Sequence, residues 1–194
     1  MEETKKEELT IVQRVRDSKY NCIDANGKIL LEQWYDWVSG FYSEVAVVVR
    51  ENGDLNFINK QGNIISEQWF EFVGDFNDGF AVVQRGDRLW NLIGENGKFL
   101  SDKWFEWAGD FNDGFAMVKR GEFEYNYIDT KGKILSSEWF RLAYNFKDGL
   151  AVVQRSNYKY NFIDKNGNYL LKEWVYSVED FHWRTVQKLT KTER

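Results

Sequence analysis

Apolar and polar residues change places along this chain in blocks too short for helices. From Phe80, "FAVVQR" is apolar and β-branched and predicts a strand. "GDRL" follows as a tight turn, and "WNLIG" as a second strand. "ENGK" is a turn with Gly97 at the position that needs a left-handed backbone. "KFLSD" predicts a third strand, "WFEWAGDF" a fourth short one, and "NDG" another turn. No window carries a long amphipathic helical stripe. The pattern therefore predicts an all-β protein made mostly of hairpins.

The pattern also recurs. "WFEFVGDFNDGFAVVQRG" begins at Trp69 and "WFEWAGDFNDGFAMVKRG" at Trp104, 35 residues later. Trp34, Trp69, Trp104, Trp139 and Trp174 keep that step, and so do Asn21, Asn56, Asn91, Asn126 and Asn161. Ile23, Ile58, Ile93, Ile128 and Ile163 keep it as well. Gly27, Gly62, Gly97, Gly132 and Gly167 do likewise, as do Phe41, Phe76, Phe111, Phe146 and Phe181. Five positions in step without an insertion define five tandem units. One domain is expected over residues 9–188, with polar tails at 1–8 and 189–194. The first and last units depart from the middle ones ("GFYSEVAVVV", "EDFHWRTVQK"), as capping copies do. Strands of the "AVVQR" kind start near Ile11, Ala46, Ala81, Ala116, Ala151 and Thr185, six against five Asn-type strands. The extra copy predicts an open twisted array; a five-bladed propeller-like ring is the alternative. The five periodic tryptophans are predicted as core, since burying one such ring removes about 150–250 Å² from water.

Composition narrows this picture. Aromatic residues make up 18% of the 194, too many for a disordered chain. Proline is absent, so Gly, Asn and Asp must build the turns. The net charge is −5 with the two signs interspersed, and no basic stripe offers itself to nucleic acid. A single cysteine rules out an internal disulfide framework and suits a reducing compartment. The N-terminus "MEETKKEELT" has no apolar signal region, and no apolar run approaches a membrane span. A cytoplasmic location is expected.

The stretches "GFAVVQRGDRLWNLIGENGK" and "GLAVVQRSNYKYNFIDKNGN" resemble the WG (KWG) repeats of bacterial proteins, and the resemblance spans about residues 11–187. It implies a binding or scaffold array, without a catalytic residue attached to the motif, of a kind also found in bacterial viruses and host-interaction proteins. One departure stands out: the Gly of the W-G pair is Asn in all five copies. Asn is the commonest non-Gly residue at positive φ, so each of these asparagines is expected at a bulge or left-handed kink.

Candidate chemistry is thin. Nucleophilic catalysis would need Cys22 and His182, which lie at opposite ends of the array. Clustered zinc ligands are missing. Asp75-Phe-Asn77-Asp78-Gly79 and Asp110-Phe-Asn112-Asp113-Gly114 read as turns rather than calcium loops. Carboxylates are abundant, but repetition gives no unique pair for glycosidic cleavage. Arg85-Gly86-Asp87 is read as a strand end plus a turn. Neither a cofactor nor a metal is expected, and the protein is not expected to be an enzyme. The aromatics that vary between units are better candidates: Trp37, Trp107, Trp183 and Trp90, then Tyr42, Tyr158 and Tyr176. The expected function is a non-enzymatic module that binds a protein through an extended surface. A carbohydrate or small-ligand binder and a component of a larger assembly such as a virus particle are the alternatives.

Overall fold

The computed structural model describes residues 9–42 and 44–178. Phe181, His182, Trp183, the strand expected near Thr185 and both tails lie outside the described residues. Within them the fold is all-β: small antiparallel sheets follow one another in tandem, and none closes into a barrel. The architecture is the open repeat array.

The first sheet pairs β1 (Thr10–Gln13) with β2 (Tyr20–Ile23). The second holds β3 (Trp37–Val38), β4 (Val45–Val49) and β5 (Leu55–Asn59), and the third β6 (Phe72–Val73), β7 (Phe80–Gln84) and β8 (Trp90–Gly94). β9 (Trp107–Asn112), β10 (Phe115–Gly121) and β11 (Glu124–Asp129) form the fourth. β12 (Leu142–Ala143), β13 (Leu150–Gln154) and β14 (Tyr160–Asp164) form the fifth. Each three-stranded sheet runs in sequence order, so every connection within a sheet is a hairpin. The sheet boundary therefore falls inside the 35-residue period: a unit's last strand pairs with the first strand of the next.

Two turns recur for stated reasons. Asp78-Gly79, Asp113-Gly114 and Asp148-Gly149 all take positive φ. That is the type I′ geometry whose twist suits a two-residue hairpin. In the other, Asp24, Asn59, Asp129 and Asp164 each accept two backbone N–H groups through Oδ1, and a left-handed Gly closes the loop. Gly27, Gly62, Gly97, Gly132 and Gly167 have φ of +76° to +86°, as the sequence predicts.

The third strand of each unit is not the continuous strand that the pattern predicts. Only two bridges tie it to its neighbour, Ile93↔Phe99 and Trp90↔Phe105 in the third sheet. Five residues, 100–104, thus face two, Asn91 and Leu92. The Asn side chain fills the gap. Asn91 Nδ2 donates to the carbonyls of Ser101 (2.8 Å) and Lys103 (3.3 Å), and Oδ1 accepts the Leu92 N–H at 2.8 Å. Asn126 does the same with Ser136, Glu138 and Tyr127, and its Oδ1 also takes the Ser136 N–H. All five asparagines are fully buried.

This corrects the expectation of a left-handed kink. None of Asn21, Asn56, Asn91, Asn126 or Asn161 has positive φ, and each is paired opposite a valine in its hairpin. The extra residues are in the facing segment. The Asn is there for its amide, which satisfies backbone groups that the bulge leaves without ladder partners.

Core clusters lie between consecutive sheets. Val82 and Leu92 of the third sheet pack on Ala108, Phe111, Ala116, Val118 and Ile128 of the fourth, together with Phe105. Ala81, Val83 and Ile93 face the other way, onto Phe57 of the second sheet. An inner strand is buried on both faces, which is why "AVV" reads as an apolar run rather than an alternation. Phe80 meets Phe111 at 5.4 Å between ring centroids, and Phe115 meets Phe146 at 4.7 Å, each pair spanning two sheets.

The glycine turns set the stacking distance. A Cβ on Gly97 would stand 1.7 Å from the Ile65 carbonyl oxygen of the preceding unit, and one on Gly132 would stand 2.4 Å from that of Leu100. A Cβ on Gly27 would meet nothing within 4 Å. One hairpin tip escapes the period: Arg14 is six residues from Tyr20, whereas Arg50 is five from Leu55.

Gly27→Ala should therefore cost about 1–2 kcal/mol for its left-handed backbone alone, and Gly97→Ala about 3 kcal/mol or more because the sheets must also part. Equal losses in denaturant unfolding would contradict this account of stacking. Asn91→Leu should cost about 2–4 kcal/mol by stranding the Ser101 and Lys103 carbonyls and the Leu92 N–H, read in the same titration.

Candidate functional site

Neighbouring residues of an extended segment point to opposite sides, so only one of two adjacent aromatics can enter the core. At Trp34-Tyr35, Trp69-Phe70, Trp104-Phe105 and Trp139-Phe140 the second residue does. Tyr35, Phe70, Phe105 and Phe140 are at most 5% exposed, whereas the tryptophans are half-buried, as is Trp174. The periodic tryptophans, expected as core, are thus half-buried at its edge rather than fully enclosed. Trp69, Trp104, Trp139 and Trp174 border the clusters with one side. The guanidinium that ends each first strand covers a ring. Arg14 lies over Trp34, Arg50 over Trp69, Arg85 over Trp104, Arg120 over Trp139 and Arg155 over Trp174, 3.9–4.5 Å from the centroids. Such stacking contributes about 0.5–1 kcal/mol each at exposed sites.

Carboxylates hold these arginines in place. Asp17 takes Arg14, Asp54 takes Arg50, Asp87 takes Arg85 and Glu124 takes Arg120. Arg85 and Asp87 of the Arg-Gly-Asp tripeptide are thus spent on each other and on Trp104. Glu138 binds Arg155 through both oxygens, at 2.5 and 2.7 Å, and accepts the Tyr169 hydroxyl at 2.8 Å. The guanidinium beside it, helped by that hydroxyl, holds its carboxyl below the usual glutamate range despite partial burial.

The varying aromatics fall in several places. Trp37 is exposed on β3 opposite Val49, and Phe72, at the same position one unit on, lies 5.4 Å from the half-buried Trp90. Trp107, also half-buried, pairs with Lys119. Tyr42 is exposed and borders a cleft of about 490 Å³ with Val45, Val47, Phe57 and Phe76. Tyr158 and Tyr176 each lie against a cation that sequence reasoning missed, Arg141 and Lys159, and Arg141 also meets Phe123, missed as well. Arg141 lies 4.8 Å from the Phe123 ring and 4.4 Å from that of Tyr158, and Lys159 lies 4.8 Å from that of Tyr176. Lining up the unit copies exposes the signal: Asp36, Glu71 and Glu106 stand where Arg141 does.

No cluster of three or more His, Cys, Asp or Glu side chains occurs among the described residues. Cys22 is buried, and desolvation pushes its thiol up to about 11. No helix there is long and apolar enough to cross a membrane.

The model of the WG containing repeat matches residues 22–53, 57–88, 90–122 and 127–160, well over half of the chain. The chain belongs to the WG-repeat family. No curated protein matches it. Among solved structures the WG-repeat chain is similar to the computationally designed Ika8 protein. The two share 13% identity at a TM-score of 0.38, over 84% of this chain and 57% of the other. It is also similar to the WD40 beta propeller domain of Doa1, at 12% identity and a TM-score of 0.33 over 88% and 69%. BamB from Moraxella catarrhalis aligns at 11% identity and a TM-score of 0.39, over 84% and 62%. The WG-repeat chain thus spans a little over half the length of the designed protein.

Because its pKa is depressed on folding, Glu138 adds stability at neutral pH, and that contribution fades as pH falls through its folded value. Glu138→Gln should lower the unfolding midpoint at pH 7 and match the wild type once pH is below the carboxylate range. A deficit independent of pH would show that the ion pair is not its source.

Proposed function

We propose that this chain is a non-enzymatic scaffold that holds a protein partner on the rim formed by its hairpin tips. The observation that carries this reading is the run of aromatic side chains left at 51–76% exposure on successive tips and the strands beside them: Phe123, Tyr158 and Tyr176. Such rings give large contact area at low entropic cost, and they are enriched at interfaces. The strands beneath them are buried on both faces, which favours a preorganised rim. The buried Cys22 thiol and the carboxylates committed to arginines support a binding role rather than catalysis. A free thiol suits the reducing cytoplasm. The second reading is a small apolar or sugar ligand, favoured by the cleft beside Tyr42.

Passing lysate of the source cells over the immobilised chain should retain a small set of proteins that free chain competes away, identified by mass spectrometry. If nothing is retained while a glycan panel quenches tryptophan fluorescence, the ligand reading replaces the scaffold.

A further inference from the structure

The position of Arg141 carries a carboxylate in the three preceding units: Asp36, Glu71 and Glu106. Two of these serve a local purpose, with Lys19 at 3.3 Å from Asp36 and Lys119 at 3.7 Å from Glu106. The backbone does not distinguish the copies. Asp36, Glu71, Glu106 and Arg141 each donate their N–H to the strand alongside, to Val49, Gln84, Lys119 and Gln154. Stacking therefore proceeds with either charge, and the reversal in the fourth unit needs another reason.

Its surroundings supply one. Aromatic rings flank Arg141 on two successive hairpin tips, Phe123 and Tyr158. Ser18, Gly53, Arg88 and Phe123 stand at the Tyr158 position in the preceding copies. The left-handed backbone of Tyr158 (φ +63°) is shared by Ser18, Gly53 and Arg88 and so belongs to the turn, while the Tyr158 ring remains 59% exposed. Lys159, the residue after Tyr158, lies against Tyr176 and makes a second pairing of cation and ring. Among the described residues, Arg141 and Lys159 have no carboxylate partner. Among the described residues one of the five guanidinium donors of Arg141 is engaged, donating to Gln154 Oε1 at 3.0 Å. Stacking between rings fixes the guanidinium plane, so little side-chain entropy remains to be lost when an anion binds.

We infer that this strip is the docking site for an acidic peptide segment of a partner protein. Carboxylates of the peptide take the open guanidinium edge and the Lys159 ammonium, and the rings cover the peptide's apolar atoms. Charge complementarity carries the choice: a protein of net charge −5 repels acidic partners except where cations stand unpaired among exposed rings. The inference rests on the scaffold reading and names the class of partner.

The test is to pan short random peptides displayed on phage against the full chain, then measure a synthetic peptide from the enriched pool by fluorescence anisotropy. Enriched peptides should carry an excess of Asp and Glu and weaken at high salt. Arg141→Glu should weaken binding about tenfold or more, as expected for a lost charge-assisted pair. Both Arg141→Glu and Tyr158→Gly install residues that the protein already uses at equivalent positions, so both should fold, and Tyr158→Gly should weaken binding as well. Peptides without acidic bias, or bound equally by Arg141→Glu, would overturn the inference and leave the scaffold reading standing. No enrichment would overturn it too, while a partner captured from lysate would still uphold the scaffold.

Discussion

A sheet whose fourth segment bulges by three residues leaves backbone amides and carbonyls facing inward with no strand to meet them. In each unit one asparagine amide resolves this. It is the smallest side chain that presents two donors and an acceptor in one plane, and the bulge at Asn91 or Asn126 uses all of them. Everything outward depends on the bulge being held. It carries Trp104 and its equivalents to the outside, where the arginines cover them. It also turns Phe105 and its equivalents inward, where they fill the layer between sheets.

Stacking follows from a second constraint. Sheets apolar on both faces must be covered on both, and only another copy has the matching relief. The left-handed glycine in each turn lets that copy approach until its backbone meets a carbonyl of the unit before. Side-chain packing and backbone contact thus agree on one spacing, and the 35-residue step in the sequence is its trace.

Much of this was legible in the chain. The hairpins, the five units and the glycine turns follow from the period and from turn chemistry alone. The misassigned positions share a cause. Recurrence says that a residue matters in every unit but not which way it faces, so Trp104 was given the place that belongs to Phe105. Asn91 was read through its backbone preference, because a side chain bonding ten and twelve residues away leaves no local signal. Arg141 was overlooked because the eye follows what repeats, whereas it departs from its copies.

The hairpin tips alone are measured by nothing. Asparagine, glycine and the interlocking rings fix the length of every other segment, yet the first tip holds one more residue than the second and the stack is undisturbed. Evolution in this fold is thus divided by address. Change in the body of a unit is filtered through two neighbours at once, while the rim can lengthen, shorten or reverse its charge from copy to copy, as the loops on a fixed frame do in other recognition proteins.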